Sequence, residues 1–162
     1  MGLDIAAYSR LIKVINPGKD RGDLITLTDN TDFPGRIAPQ TEGQYTHGEE
    51  MDVIYMGYGR YNHWREWLAK LAGYTPVGNN PNLPSYYSGG AWAATSGPFW
   101  ELICFSDCEG TIGTDACRKL LKDFNEWEQR AQDNSTGPEF DHYVDMHNGL
   151  KLAAQGGCLK FS

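Results

Sequence analysis

The chain has 162 residues, with 14 Lys+Arg against 21 Asp+Glu for a net charge of −7, and its sequence pI is near 5.0. That balance excludes a protein whose main work is coating phosphate backbones, and the 40% hydrophobic and 12% aromatic content excludes an intrinsically disordered chain. A domain of this length buries roughly 70% of its unfolded surface, enough for a core without disulfides or a structural metal, and no apolar run reaches the roughly 18 residues of a membrane span.

Leu3 to Val14 alternates well enough to be a strand. Asn16-Pro17-Gly18 supplies turn chemistry, and Leu24 to Thr28 is expected to return as its antiparallel partner. From Asp29 to Glu50 the pattern dissolves into Pro, Gly, Thr and acids, the composition of a loop. Val53 to Met56 is a short strand candidate. Arg60 to Ala72 is the first clear helix, with Tyr61, Trp64, Leu68 and Leu71 on one face and Gly73 at its end.

Residues 73–100 carry no charged side chain and hold five Gly, four Pro and three Asn, with Tyr86, Tyr87 and Trp92 close together. Loops of that length are uncommon in compact domains and are usually functional or disordered; the aromatic content favours an ordered loop packed on something. Phe99 to Phe105 is a short apolar run expected to be a central strand, followed by a tight polar connection over 106–113. Thr114 or Asp115 is placed to cap the next helix, whose stripe is Cys117, Leu120, Leu121, Phe124, Trp127 and Ala131. Thr136-Gly137-Pro138-Glu139 has capping-box spacing ahead of a third helix bearing Phe140, Tyr143, Val144, His147, Leu150 and Ala154. Cys158 to Phe161 is expected to be a last strand.

Partly segregated strands and helices predict one α+β domain over residues 1–162, a mostly antiparallel sheet with about three helices on one face and a long uncharged loop. Trp64, Phe124 and Trp127 are the leading core candidates; truncating a fully buried Trp127 would cost about 3–5 kcal/mol. The spacing of Cys104, Cys108, Cys117 and Cys158 fits no zinc motif, and Cys104 and Cys117 sit where small core residues belong. Cys108, between two acids, is a poor nucleophile. The opening residues lack a signal peptide's basic and apolar regions, so reduced thiols in a cytoplasmic setting are expected.

Charge is uneven along the chain. Residues 23–53 hold seven acids and one base, and residues 101–117 and 133–145 hold four acids each with no Lys or Arg. Convergence of these blocks would attract a basic partner; the bland alternative is solvated loops pointing apart. Asp107-x-Glu109-Gly110 starts like a calcium loop, but Thr111 and Arg118 stand at two of the ligand positions. His142 and Asp145 share a helix face and could ligate together, yet acids early in a helix already have a reason in its dipole. Neither a cofactor nor a metal is expected. Asp107 with Glu109 could form an acid/base pair on one side of an extended segment. No nucleophile elbow, H-E-x-x-H or phosphate loop occurs. Aromatic side chains interleave with Arg60, His63 and Arg65, and rings beside Arg can grip a protein hot spot or stack on a nucleotide. Tyr58, Arg60, Tyr86, Tyr87, Trp92, Asp107 and Glu109 are therefore the candidate binding residues.

Gly2-Leu3-Asp4-Ile5, the run Trp64 to Gly73, and Phe99 to Gly113 (FWELICFSDCEGTIG) resemble small bacteriophage- and prophage-encoded proteins without established activity. The resemblance covers about a quarter of the chain and assigns no residue a role. It implies a phage accessory factor in the bacterial host cytoplasm, of the kind that disables a host protein, CRISPR and other defence systems included. The expected function is thus a non-enzymatic acidic binder of a host protein with a basic surface, without direct nucleic-acid or membrane contact. A nucleotide-sequestering protein and a carboxylate-dependent hydrolase are the alternatives.

Overall fold

The computed structural model describes residues 2–16, 22–29, 32–33, 35–105 and 109–162. The architecture is α+β. Strands β1 (Gly2–Tyr8), β5 (Glu50–Gly57), β6 (Gly110–Ile112) and β7 (Cys158–Phe161) form a four-stranded sheet in the order β5-β1-β7-β6. A second sheet of β2 (Ile12–Lys13), β3 (Ile25–Leu27) and β4 (Gly43–Thr46) has the order β2-β4-β3. Every pairing is antiparallel. Helices α1 (Tyr58–Leu71), α4 (Thr114–Asp133) and α5 (Glu139–Ala153) pack on the larger sheet, and the short α2 (Ser88–Ala93) and α3 (Trp100–Cys104) pack against α1 and each other.

The alternation of β1 decides which face is covered. Leu3, Ile5 and Ala7 are fully or almost fully buried in the main core, while Asp4 between them is exposed. Trp64 and Leu68 of α1, Leu120 and Phe124 of α4, and Tyr143, Met146 and Leu150 of α5 close over that inner face. The ring of Phe124 stacks on Tyr143 at 4.3 Å between centroids, and the Tyr143 hydroxyl donates to the Phe124 carbonyl at 2.6 Å. Trp127 is only half-buried against this core, so its truncation costs less than that of a fully enclosed ring. Cys104 and Cys117 are buried, as the sequence implied, and so is Cys158. Cys108 lies outside the described residues.

The opening extended run is divided. Arg10 takes a positive φ of 47°, and the Arg10 and Leu11 amides donate to Gln155 and Gly156 at 3.0 and 2.9 Å. The chain then leaves the large sheet for the small one. There the expected pairing of residues 24–28 with the opening strand is replaced by pairing of β3 and β2 with β4, which lies within the stretch expected to be a loop. Four residues, Gly-Gln-Tyr-Thr, with only Tyr45 fully buried, carry no alternation to detect. The small sheet covers part of the large sheet's outer face, and Tyr8, Ile25, Leu27, Ile37, Tyr45 and Cys158 form a second core between them.

Phe99 to Phe105 is not a strand. Phe99 has φ 58°, its amide donates to Asp123 Oδ2 at 3.0 Å, and α3 follows for one turn. A run buried almost all round has no period by which strand and helix can be told apart. The strand instead comes from the expected polar connection, as β6. Gly110 is needed there: a Cβ would stand 2.3 Å from the Phe105 ring.

Both expected helix caps are displaced. Thr114 Oγ1 donates to the Gly157 carbonyl at 2.6 Å, while Gln40 Oε1 accepts from the Thr114 amide at 3.0 Å. At α5, Ser135 rather than Thr136 performs the capping: its Oγ accepts from the Phe140 amide and donates to Glu139, both at 3.2 Å.

Candidate functional site

The uncharged segment is ordered by bonds that charged side chains outside it supply. Glu66 of α1 accepts from the backbone amides of Tyr87 and Ser88, the latter at 2.8 Å, which fastens the start of α2 to α1. Within the segment the Val77 amide donates to Tyr86 at 2.8 Å, and Tyr74 Oη donates to the Pro98 carbonyl at 2.9 Å. Gly90 lies so close to Thr75 that a Cβ would fall 1.9 Å from its carbonyl oxygen. Trp100 Nε1 donates to Ala91 and Ala94, at 2.9 and 3.0 Å, joining α3 to α2.

This scaffold divides the candidate residues. Tyr86 and Tyr87 meet edge to face at 4.9 Å and 80°, and both are half-buried. No parallel gap for a base exists between these two rings. Trp92 is 56% exposed and lines a groove of about 250 Å³ with Asn62 and Arg65 of α1 and Ile103. Arg65 is held there by donating to the Ile103 and Phe105 carbonyls at the end of α3 and to Asn62. Tyr58 is half-buried against the core and Arg60 is exposed. Both lie in the first turn of α1, whereas Lys70, whose ammonium is 5.9 Å from the Tyr87 ring centroid, lies in the last. Over 14 residues those turns are separated by most of about 21 Å. Glu109 is exposed just before β6, and Asp107 lies outside the described residues.

A different aromatic residue is the most open. Tyr55 of β5 is 78% exposed. It faces Asp4 across the β1–β5 pairing, and its ring rests over Gly2, where a Cβ would come within 3.0 Å of Cε2. Among the described residues β5 is an edge strand. A bulge between Ile5 and Ala6 leaves Val53 as its extra residue, because Ile5 pairs with Ile54 and Ala6 with Asp52. Val53 and Ile54 are consequently both buried, and Asp52 is left exposed between two grooves. One, of about 350 Å³, runs over Asp4, Asp52 and Tyr55 on the sheet's outer face. The other, about 360 Å³, lies between β5 and α5 and sets Asp52 and Met51 beside Asp145, with Lys151 the one cation among the described lining residues. Two of the three acidic blocks therefore meet along β5. The remaining block meets the first elsewhere, where Glu101 and Asp32 share a groove near Trp100.

The sequence held the signal for this edge. Tyr55 alternates with the buried Ile54 and Met56 in a strand that turns one side to water.

Among the described residues no group of three or more His, Cys, Asp or Glu is arranged to hold a metal. His147, with Nε2 2.7 Å from Asn125 Oδ1, is buried, and burial holds its proton affinity below that of an ordinary imidazole. No described helix is long and apolar enough to cross a membrane. Comparison of the chain with family models, curated proteins and solved structures finds no match.

Proposed function

We propose that this protein is an acidic protein-binding module that captures a partner through a basic, extended segment laid along β5. The observation that carries the reading is the edge itself. Tyr55 is open and seated over Gly2, Asp4 faces it, and Asp52 and Asp145 add carboxylates on either side of one strand. A seated ring loses little freedom on binding, which makes it a good anchor, and carboxylates around it favour Lys and Arg while speeding encounter. Addition of a strand to an open sheet edge supplies affinity through backbone bonds common to any sequence. The partner of choice is a host protein with a basic surface, such as a nucleic-acid-binding defence factor, whose contacts with nucleic acid the module would block. That last step rests on the resemblance of the chain to phage-encoded proteins. Trp92, exposed on the uncharged segment, is a second apolar contact. Tyr86 and Tyr87 support it rather than touch the partner.

Capture from bacterial lysate tests the reading when three baits run side by side: the wild type, Tyr55→Ala, and Asp4→Asn with Asp52→Asn. Specific capture should fall at least about tenfold for either variant and should weaken as salt rises from about 50 to 500 mM. Capture indifferent to both variants and to salt overturns the proposal.

A further inference from the structure

Arg36 stands out among the described residues as a buried cation. It is 5% exposed, and neither Nη atom meets a hydrogen-bond partner among the described residues. Its guanidinium carbon lies 4.2 Å from the ring centroid of Phe33 and 4.5 Å from that of Phe105, so the rings embrace the charge without satisfying its donors. Burial pulls the guanidinium down from 12.5 to about 10, which leaves it charged at neutral pH. A buried cation with unused donors is costly unless something pairs with it.

The surrounding chain holds Arg36 in place, and Glu101 opposes its charge, but no described group meets its Nη donors. The Arg36 carbonyl accepts from the Gly113 amide at 2.8 Å and the Ala38 carbonyl accepts from Asp115 at 3.1 Å, so this segment covers the amino end of α4. With those amides occupied, the free donors are those of the side chain. Arg36 borders a groove of about 340 Å³ walled by Phe33, Trp100 and Ala116, with Asp32 and Glu101 also on its lining. Glu101 is engaged with Lys119 Nζ at 2.8 Å.

We infer that this groove is a binding site for a small monocarboxylate with an aromatic or apolar body. The carboxylate would take the fork of Arg36, and the body would lie against Trp100 and Phe33. Planar, two-point recognition is what a guanidinium offers a carboxylate. The size of the groove suits a small molecule, and the walls suit a ring. Asp32 and Glu101 on the lining select against a dianion, so a phosphate monoester is the poorer ligand. Both Nη atoms are closed to solvent. The side chains that wall the groove must therefore shift to admit the ligand.

The probes are phenylacetate, its neutral amide phenylacetamide, and phenyl phosphate, added to the wild-type protein and followed by thermal shift and by the Arg36 side-chain N–H resonance. Phenylacetate at about 10 mM should raise the melting temperature and move that resonance, the amide should do neither, and phenyl phosphate should bind at least about tenfold more weakly. Arg36→Lys should lose at least about tenfold in affinity because an ammonium cannot form the two-point contact. No response to phenylacetate, an equal response to the amide or to phenyl phosphate, or binding that leaves the Arg36 resonance unmoved overturns the inference. The wild-type readout stands even if a variant fails to fold.

Discussion

Two residues show how closely this fold is fitted at the scale of single atoms. Gly149 lies inside α5, where alanine is ordinarily better by about 1 kcal/mol. A Cβ there would stand 2.5 Å from Cγ2 of Val53, the residue that the β5 bulge forces inward. Gly149→Ala should therefore destabilise the protein, by about 1–3 kcal/mol in urea titrations, against the direction of helix propensity. His147 makes a different prediction. Its imidazole is held below the ordinary 6.5, first by burial and then by Lys151, with Glu128 opposing. The unfolded state consequently binds its proton more readily than the folded state. Stability from this group is whole above pH 6.5 and drains as pH falls below that value toward the folded one. Wild type should lose more stability between about pH 7.5 and 5.5 than His147→Gln does, measured by urea midpoint at each pH. Equal losses would show that burial of this ring costs its protonation nothing.

At the scale of elements, the long periodic pieces were legible and the short ones were not. The stripe from Cys117 to Ala131 lies on α4, and the apolar residues of the first and third helices lie on α1 and α5. In each, the period repeats over several turns. The strand β4 and the helix α3 span four and five residues, too few for any period, and their conformations depend on partners distant in sequence. Asp123 fixes the entry to α3 by accepting from the Phe99 amide, a contact 24 residues away. The uncharged segment was recognisable as ordered from its composition, but not the carboxylate that orders it. Glu66 supplies two charge-assisted bonds to α2, and such bonds are worth about 1.5–3 kcal/mol each. Glu66→Gln keeps the size and weakens both. Amide hydrogen exchange should then quicken over residues 85–94 more than over α4 or α5. Uniform quickening would mean that α2 opens only with the whole molecule.

For the whole molecule, net charge concealed its own arrangement. A value of −7 is a sum, and no sum says that residues 23–53 contribute to two separate acidic grooves, one with Asp145 and one with Glu101. That partition follows from topology, because β5 runs beside α5 while the turn around Arg36 covers the start of α4. The candidate site was legible to the same extent: aromatic content and acidity were visible, but the open edge that joins Tyr55 to Asp4 and Asp52 was not. The small sheet has a consequence of its own. Its core rests on Tyr8 and Cys158, so the Cys158 sulfur is sealed beneath a lobe of short strands, whereas Cys117, on α4, is sealed within the main core. Burial also pushes the Cys158 thiol up to about 12, so alkylation waits for opening. A thiol reagent in excess therefore becomes a clock for each lobe. Cys158 should be modified well before Cys117, at a rate that reports the lifting of the small lobe while the remainder stays folded.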